Sequence, residues 1–286
     1  MKPAASARKT ASKACECLAS DGPARPQATG CLDWPSVSTH WDAERYHRVS
    51  GPMEEMGLGV LDRLDLRGDE TVLDAGCGSG RVTAHLVERL PRGRVIAVDL
   101  SEGMVAETRR TLGGRADVRR ADLLELHLAE AVDAILSTAT FHWILDHDRL
   151  FAQLFGALRP GGRLVAQCGG RGNIARVLAA AAEVASRPAF ATSFHGWSRP
   201  SYFATAEETE AWLERAGFAE IHCWLADNPI QPDDPADYLQ TIVLRDHLSR
   251  LPGELERPFV DGVIELLGEP VVFDYVRLNI DASRPA

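Results

Sequence analysis

Asp74, Gly76, Gly78 and Gly80 alternate through the stretch Thr71-Val-Leu-Asp-Ala-Gly-Cys-Gly-Ser-Gly-Arg-Val-Thr83. A carboxylate beside three glycines suits the binding of a small ligand, because glycine accepts positive φ and, having no Cβ, lets the backbone approach closely. A second acid, Asp99, follows Gly80 by 19 residues. At the carboxyl end of a strand such an acid can accept both hydroxyls of a ribose. Those positions need particular elements around them. Val72, Leu73 and Ala75 read as a short buried strand. From Gly80 the pattern turns helical, with Val82, Leu86, Val87 and Leu90 along one stripe. Strand, glycine loop and helix then turn backbone N–H groups and a positive helix end toward the ligand. Arg94-Val-Ile-Ala-Val-Asp-Leu100 is a second continuous apolar strand, and it delivers Asp99 to the same corner. The glycine spacing excludes two nucleotide sites. A dinucleotide fingerprint needs its third glycine where Arg81 stands, and a P-loop needs a terminal Gly-Lys-Ser or Gly-Lys-Thr.

Asp74-x-Gly76-x-Gly78-x-Gly80 resembles the first motif of the class I methyltransferases that use S-adenosylmethionine (SAM). An acidic side chain at this place suits a ligand that bears an ammonium and a sulfonium rather than phosphates. For the bare glycine triad, a turn in some other α/β protein is the alternative reading. The resemblance extends from residue 40 to residue 280, with its motifs in order; the segment from Asp133 through Gln167, with the aromatic connection and helical cap after it, looks most like trans-aconitate methyltransferases and their small-molecule relatives. It implies an α/β fold: a Rossmann-like seven-stranded methyltransferase sheet, mostly parallel with the last strand antiparallel, helices on both faces, and a small helical cap. It implies SAM as cofactor, with Asp74, Ala75, Gly76, Gly78, Gly80, Asp99 and Leu100 around it. Met104 would lie against the adenine, in a helix that Ser101 can cap, although a core methionine is the alternative. Asp122 and Leu123, ending a third strand over 117–123, would meet the adenine amino group. Tyr46 and Arg48 precede the first strand, in a segment that often closes over the cofactor, and could reach its methionine end; a packing helix is the other reading.

A fourth strand over 132–139 runs directly into Thr140-Phe-His-Trp143. Ligands of open α/β sheets sit outside the carboxyl ends of strands, so Thr138 through Trp143 should face the transferred methyl. Arg159-Pro-Gly-Gly162 reads as a turn into a fifth strand over 163–168. Residues 187–204 are aromatic and irregular, which suits a pocket lid or a packed connection. Thr205-Ala-Glu-Glu208 has capping-box spacing for a helix ending at Gly217. A sixth strand follows over 219–226, helices over 234–268, and a last strand over 270–280. Cap elements thus fall around 187–204 and 228–269 of a methyltransferase domain spanning 39–286.

The acceptor region has no diagnostic motif. A carboxylate acceptor needs no general base, whereas an alcohol or amine acceptor could use His142 or His195. An acidic acceptor calls for arginines to pair with its carboxylates, and Arg171, Arg199, Arg245 and Arg277 are the candidates, with Trp143 and Tyr202 as further substrate contacts. The expected activity is methyl transfer by in-line displacement to a carboxylate or hydroxyl oxygen of a small molecule. A protein-modifying methyltransferase and a non-catalytic SAM-binding interaction module are the alternatives.

Bulk properties narrow the partners. The formal net charge of −10 over 286 residues argues against a nucleic-acid surface. No apolar run approaches the roughly 18 residues that span a bilayer. The six cysteines have no paired metal spacing, which points to a reduced, cytoplasmic protein without a metal site. Residues 1–38 are rich in Ala, Ser, Lys, Pro and Gly, lack hydrophobic periodicity and are expected to be a disordered tail without a secretory h-region. Composition says nothing of oligomeric state.

Overall fold

A computed structural model describes Arg45, Val49 and residues 51–286. Tyr46, Arg48 and the 1–38 tail lie outside the described residues. Among the described residues the first continuous helical run is α1 (Gly51–Arg63). There follow β1 (Thr71–Ala75), α2 (Arg81–Arg89), β2 (Arg94–Asp99), α3 (Glu102–Leu112), β3 (Asp117–Arg120) and β4 (Val132–Thr138). Then come α4 (His147–Ala157), β5 (Leu158–Gly169), α5 (Ala175–Ala185), the single turn α6 (Ala191–Phe194), α7 (Ala206–Ala216) and β6 (Ala219–Asp227). The chain closes with α8 (Pro235–Tyr238), a π-helical turn (Leu239–Val243), α9 (Arg245–Leu248), α10 (Gly253–Leu267) and β7 (Val276–Ser283).

The strands form one seven-stranded sheet in the order β3-β2-β1-β4-β5-β7-β6. Pairs from β3 to β5 are parallel, and β7 is antiparallel to both β5 and β6. This is the expected fold. Its central parallel strands β1, β2 and β4 are buried on both faces, so they read as nearly continuous apolar runs rather than alternating ones. Within β1, Val72 packs with Val60, Leu61, Leu86 and Val105 on one face, while Leu73 packs with Leu150, Phe151 and Leu213 on the other. The cap has a separate core, with Val177, Tyr238, Leu239, Phe259, Val263 and Phe273 at its centre.

Local signals set the helix ends. The Ser101 side chain accepts from Met104 N at 3.4 Å and caps α3, which stops at Gly113 with φ 56. Thr205 and Glu208 form the reciprocal capping box of α7, and Gly217 ends it at φ 99.

Three strand boundaries differ from expectation: β3 ends at Arg120, short of residue 123, because Asp122 caps a 3-10 turn over Leu123–Glu125. Leu158 already pairs with Val132, and the register then shifts so that Ala134 meets Arg163. The Pro-Gly-Gly segment is therefore a bulge inside β5, with Gly161 at φ 73, rather than a turn before it. The last strand begins at Val276, not at residue 270, because Phe273 makes only an isolated bridge to Ile230 before the chain joins the sheet.

Candidate active site

The carboxyl ends of β1, β2 and β4 open onto a cavity of about 210 Å³. Gly76, Gly78 and Gly80 have φ of 86°, 55° and 82°, the left-handed region that glycine enters without strain. A Cβ on Gly76 would lie 2.1 Å from Thr140 Oγ1, so the loop is packed against the β4 segment. A Cβ on Gly78 would meet no atom within 4 Å, and Gly78 lines the cavity.

Asp99 stands at the end of β2 on the cavity wall. Its Oδ2 accepts from Gly78 N at 3.0 Å and its Oδ1 from Ser101 N at 2.8 Å. Burial raises its pKa above the ordinary value, against these backbone hydrogen bonds. Leu100, Met104, Asp122 and Leu123 line the same side, with Thr138 and Trp143 opposite. Asp122 also caps the 3-10 turn Leu123–Glu125 through Leu124 N at 2.9 Å. These residues fit an adenosyl ligand: an acid held rigidly for ribose hydroxyls, an apolar slot of Met104 and Leu123 for a base, and a glycine at Gly78 with no Cβ to narrow the space.

Asp74, Ala75 and Gly80 are not on this wall. Asp74 is buried beneath the loop, where its Oδ2 accepts from the Thr83 hydroxyl at 2.6 Å. It braces β1 to α2, and burial pushes its pKa up to about 6. Ala75 is wholly buried in the sheet. Gly80 turns toward α3, where an added Cβ would meet Thr108 at 3.0 Å.

Sequence reasoning did not find Met53, Glu54 and Arg81, which also line the cavity. Glu54 reaches from α1 to ion-pair with Arg81 of α2, and His85 Nε2 lies 3.1 Å from its Oε1. Burial pushes the Glu54 pKa up, but the hydrogen bonds to His85 and Arg81 outweigh burial and leave it lowered. The placement of Arg81 directly after the third glycine was the one available signal; the α1 contact has none in the local sequence.

A second, smaller cavity of about 50 Å³ shares Met53, Ala139 and Trp143 with the first. Ala139 holds φ 55 with its amide bonded to Gln167 O at 2.7 Å, a non-glycine residue in the left-handed region at the junction of the two spaces. Arg199, Arg277, His142 and Asn173 line the second cavity. Arg277, the second residue of β7, lies opposite Gly169 of β5, and its Nε donates to Gln167 Oε1 at 3.3 Å. The Arg199 guanidinium lies over the Trp143 ring at 4.9 Å and the Phe203 ring at 5.5 Å, and its buried Nε has no hydrogen-bond partner. Burial lowers the pKa of Arg199, opposed by the charge of Asp246. Arg245 lines the first cavity.

His142 Nδ1 accepts from Gly169 N at 3.3 Å. Burial, then the charges of Arg277 and Arg199, hold its pKa well below the ordinary value.

Three predicted contacts fall elsewhere. Arg171 is exposed and pairs with Glu208 at 3.6 Å. Tyr202 donates to Glu208 Oε1 at 2.7 Å and lines neither cavity. His195 is exposed just after α6. Arg171 lies in the loop after β5, and His195 and Tyr202 in the connection before α7, where solvent and Glu208 offer partners that the sequence does not reveal. Among the described residues no cluster of three His, Cys, Asp or Glu could hold a metal, and no helix is long and apolar enough to cross a membrane.

A methyltransferase-domain family model matches residues 72–162. The chain is similar to trans-aconitate 2-methyltransferase of Azoarcus sp. (strain BH72), with 38% identity over 44% of this chain and 50% of that relative. It is also similar to trans-aconitate 2-methyltransferase of Deinococcus radiodurans, with 29% identity over 86% of this chain and 98% of that relative. The chain thus spans half of the Azoarcus relative it matches and nearly all of the Deinococcus one. Among solved structures, Haemonchus contortus phosphoethanolamine N-methyltransferase 2 in complex with S-adenosyl-L-methionine shares the fold, with a TM-score of 0.57, 19% identity, and coverage of 85% of this chain and 57% of that one.

Proposed function

Because this chain belongs to the class I SAM-dependent methyltransferases, we propose that it transfers the methyl group of SAM to a carboxylate oxygen of a small organic acid. The observation that carries this reading is the pairing of cavities: one of about 210 Å³ beside Asp99, and a small one faced by Arg199 and Arg277 that shares Met53, Ala139 and Trp143 with it. Two guanidinium groups converge there in a chain of net charge −10, so the cationic character is local to the acceptor site. The similarity to trans-aconitate 2-methyltransferases along the chain agrees with an acidic acceptor.

SAM, when bound, supplies an activated methyl on a positively charged sulfur. The work left to the protein is positioning, since a carboxylate is ionised at neutral pH and holding the reacting groups in line lowers the barrier. Asp99 holds the nucleoside side, and Gly78, lacking a Cβ, leaves room for it. Arg277, anchored by Gln167, and Arg199, seated on Trp143 and Phe203, hold the acid by charge-assisted hydrogen bonds. Phe203, Ile242 and Val243 exclude water from that space.

The test is a methyl-transfer assay with labelled SAM against small mono-, di- and tricarboxylic acids, trans-aconitate among them, beside matched alcohols and amines. Ester formation with an acid, weakened by Arg277→Ala, is the expected result. Turnover of alcohols or amines with no acid methylated refutes the acceptor assignment.

A further inference from the structure

We propose that His142 is a positioning residue for the acceptor, held in the Nε2–H tautomer by the backbone and donating that hydrogen to the acceptor carboxylate. The inference rests on the carboxylate reading above. A backbone N–H can only donate, so the bond from Gly169 N at 3.3 Å requires a lone pair on Nδ1. In a neutral imidazole the proton then sits on Nε2. His142 lines the small cavity, and the structure gives its Nε2 no partner among the described residues. The ring cannot easily turn to exchange the two nitrogens, because Trp143 and Phe203 flank it at centroid distances of 4.9 Å and 5.6 Å.

The surrounding groups keep the ring neutral. Arg277 faces it from β7, Arg199 from the connection before α7, and His147 from α4; all three oppose a positive charge on it, and burial does so most. Cys168 of β5 lies against the His142 backbone, and burial raises its thiol to about 11. A neutral donor orients a carboxylate between two guanidiniums without adding a third cation. The same tautomer leaves no lone pair facing the cavity, so this histidine has no proton-accepting role in the reaction.

Three measurements on the full chain test this. Calorimetric SAM binding first shows that His142→Gln and His142→Ala are folded, since His142 does not line the cofactor cavity. Glutamine can accept from Gly169 and still donate into the cavity, so His142→Gln is expected to keep the acid's KM within about 3-fold, while His142→Ala raises it about 10-fold or more. The kcat/KM of the unaltered enzyme is expected to show no histidine limb between roughly pH 6 and 9. An unchanged KM in His142→Ala, or a limb in that range lost in both variants, overturns the proposal. Nitrogen-15 spectra of histidine-labelled protein, with the signal assigned by its loss in His142→Gln, separate this from the acceptor reading. If SAM binds but no acid is methylated, the acceptor reading fails and the donor role with it. The spectra still decide the tautomer: an Nε2–H ring unchanged over that pH range upholds it, and an Nδ1–H or titrating ring overturns it.

Discussion

Adding one methyl group to each of two neighbouring glycines should have opposite consequences. At Gly76 an alanine adopts φ 86 with its Cβ 2.1 Å from Thr140 Oγ1 and 2.4 Å from its Cγ2. The left-handed conformation costs about 1–2 kcal/mol, and overpacking a rigid contact costs about 1–3 kcal/mol more. Together the loss in stability is roughly 2–5 kcal/mol. At Gly78 an alanine adopts φ 55 and touches nothing, so only the conformational cost of about 1–2 kcal/mol applies. Its methyl, however, stands on a residue of the cofactor cavity. Urea denaturation of the full chain should therefore rank Gly78→Ala above Gly76→Ala, while calorimetric titration should show SAM affinity in Gly78→Ala reduced about tenfold or more. Pairing Gly76→Ala with Thr140→Ala should restore only part of the stability, because Thr140 Cβ is itself 2.7 Å from the new methyl. Equal losses in the two single variants refute the packing account, and undiminished SAM affinity in Gly78→Ala refutes the backbone cradle.

Asp99→Ala should weaken SAM binding by about 10- to 100-fold, the effect of losing a charge-assisted hydrogen-bond acceptor; an unchanged Kd would remove Asp99 from the site. Arg199→Ala and Arg277→Ala should each raise the acid's KM about tenfold or more. Arg171→Ala should leave it alone, since an exposed ion pair with Glu208 contributes little. A KM rise in Arg171→Ala would place the acceptor outside the small cavity. Acid should weaken the fold. His142, His147 and His247 are all buried and lowered, to about 4 for His147 and about 3 for His247. The unfolded chain takes up protons near pH 6.5 while the folded one does not, so stability present above that value is lost as pH falls, by about 2 kcal/mol each for His147 and His247 at pH 5, with His142 acting in the same direction. Asp74 acts in the other direction. Its folded pKa of about 6 lies above the unfolded one, so protonation there returns about 1.5 kcal/mol at pH 5. Denaturation at pH 7.5 and pH 5 should show a net loss of several kcal/mol, and stability equal at both refutes this.

The centre of the sheet was legible because β1, β2 and β4 are nearly unbroken apolar runs set apart by glycine, proline and capping residues. Asp99 was legible because a strand end is a local fact, readable from Arg94-Val-Ile-Ala-Val-Asp. Asp74 sits in the same kind of motif but faces Thr83, a partner nine residues on that turns it into a brace. That choice depends on which side of β1 its carboxylate leaves, and the motif is silent on it. Arg199 and Arg277 were candidate partners for an acidic acceptor, but so was Arg171. What separates them is Glu208, which captures Arg171 and Tyr202 at the surface. The approach of α1 to the glycine loop through Glu54 and Arg81 joins positions 27 apart, and neither side chain announces the other.

The direction of β7 has a consequence for how the two cavities come into being. Because β7 runs against its neighbours, its first residues, not its last, lie beside the carboxyl ends of the parallel strands. Arg277 thereby reaches the acceptor space from nearly the end of the chain. The glycine loop, Asp99 and Met104 all come from one continuous stretch between β1 and α3. The acceptor space needs Met53, Arg199 and Arg277 together, so it closes only after long loops have been drawn in, the slow kind of contact in folding. During synthesis the cofactor corner is available to form while the wall that selects the acceptor has still to emerge.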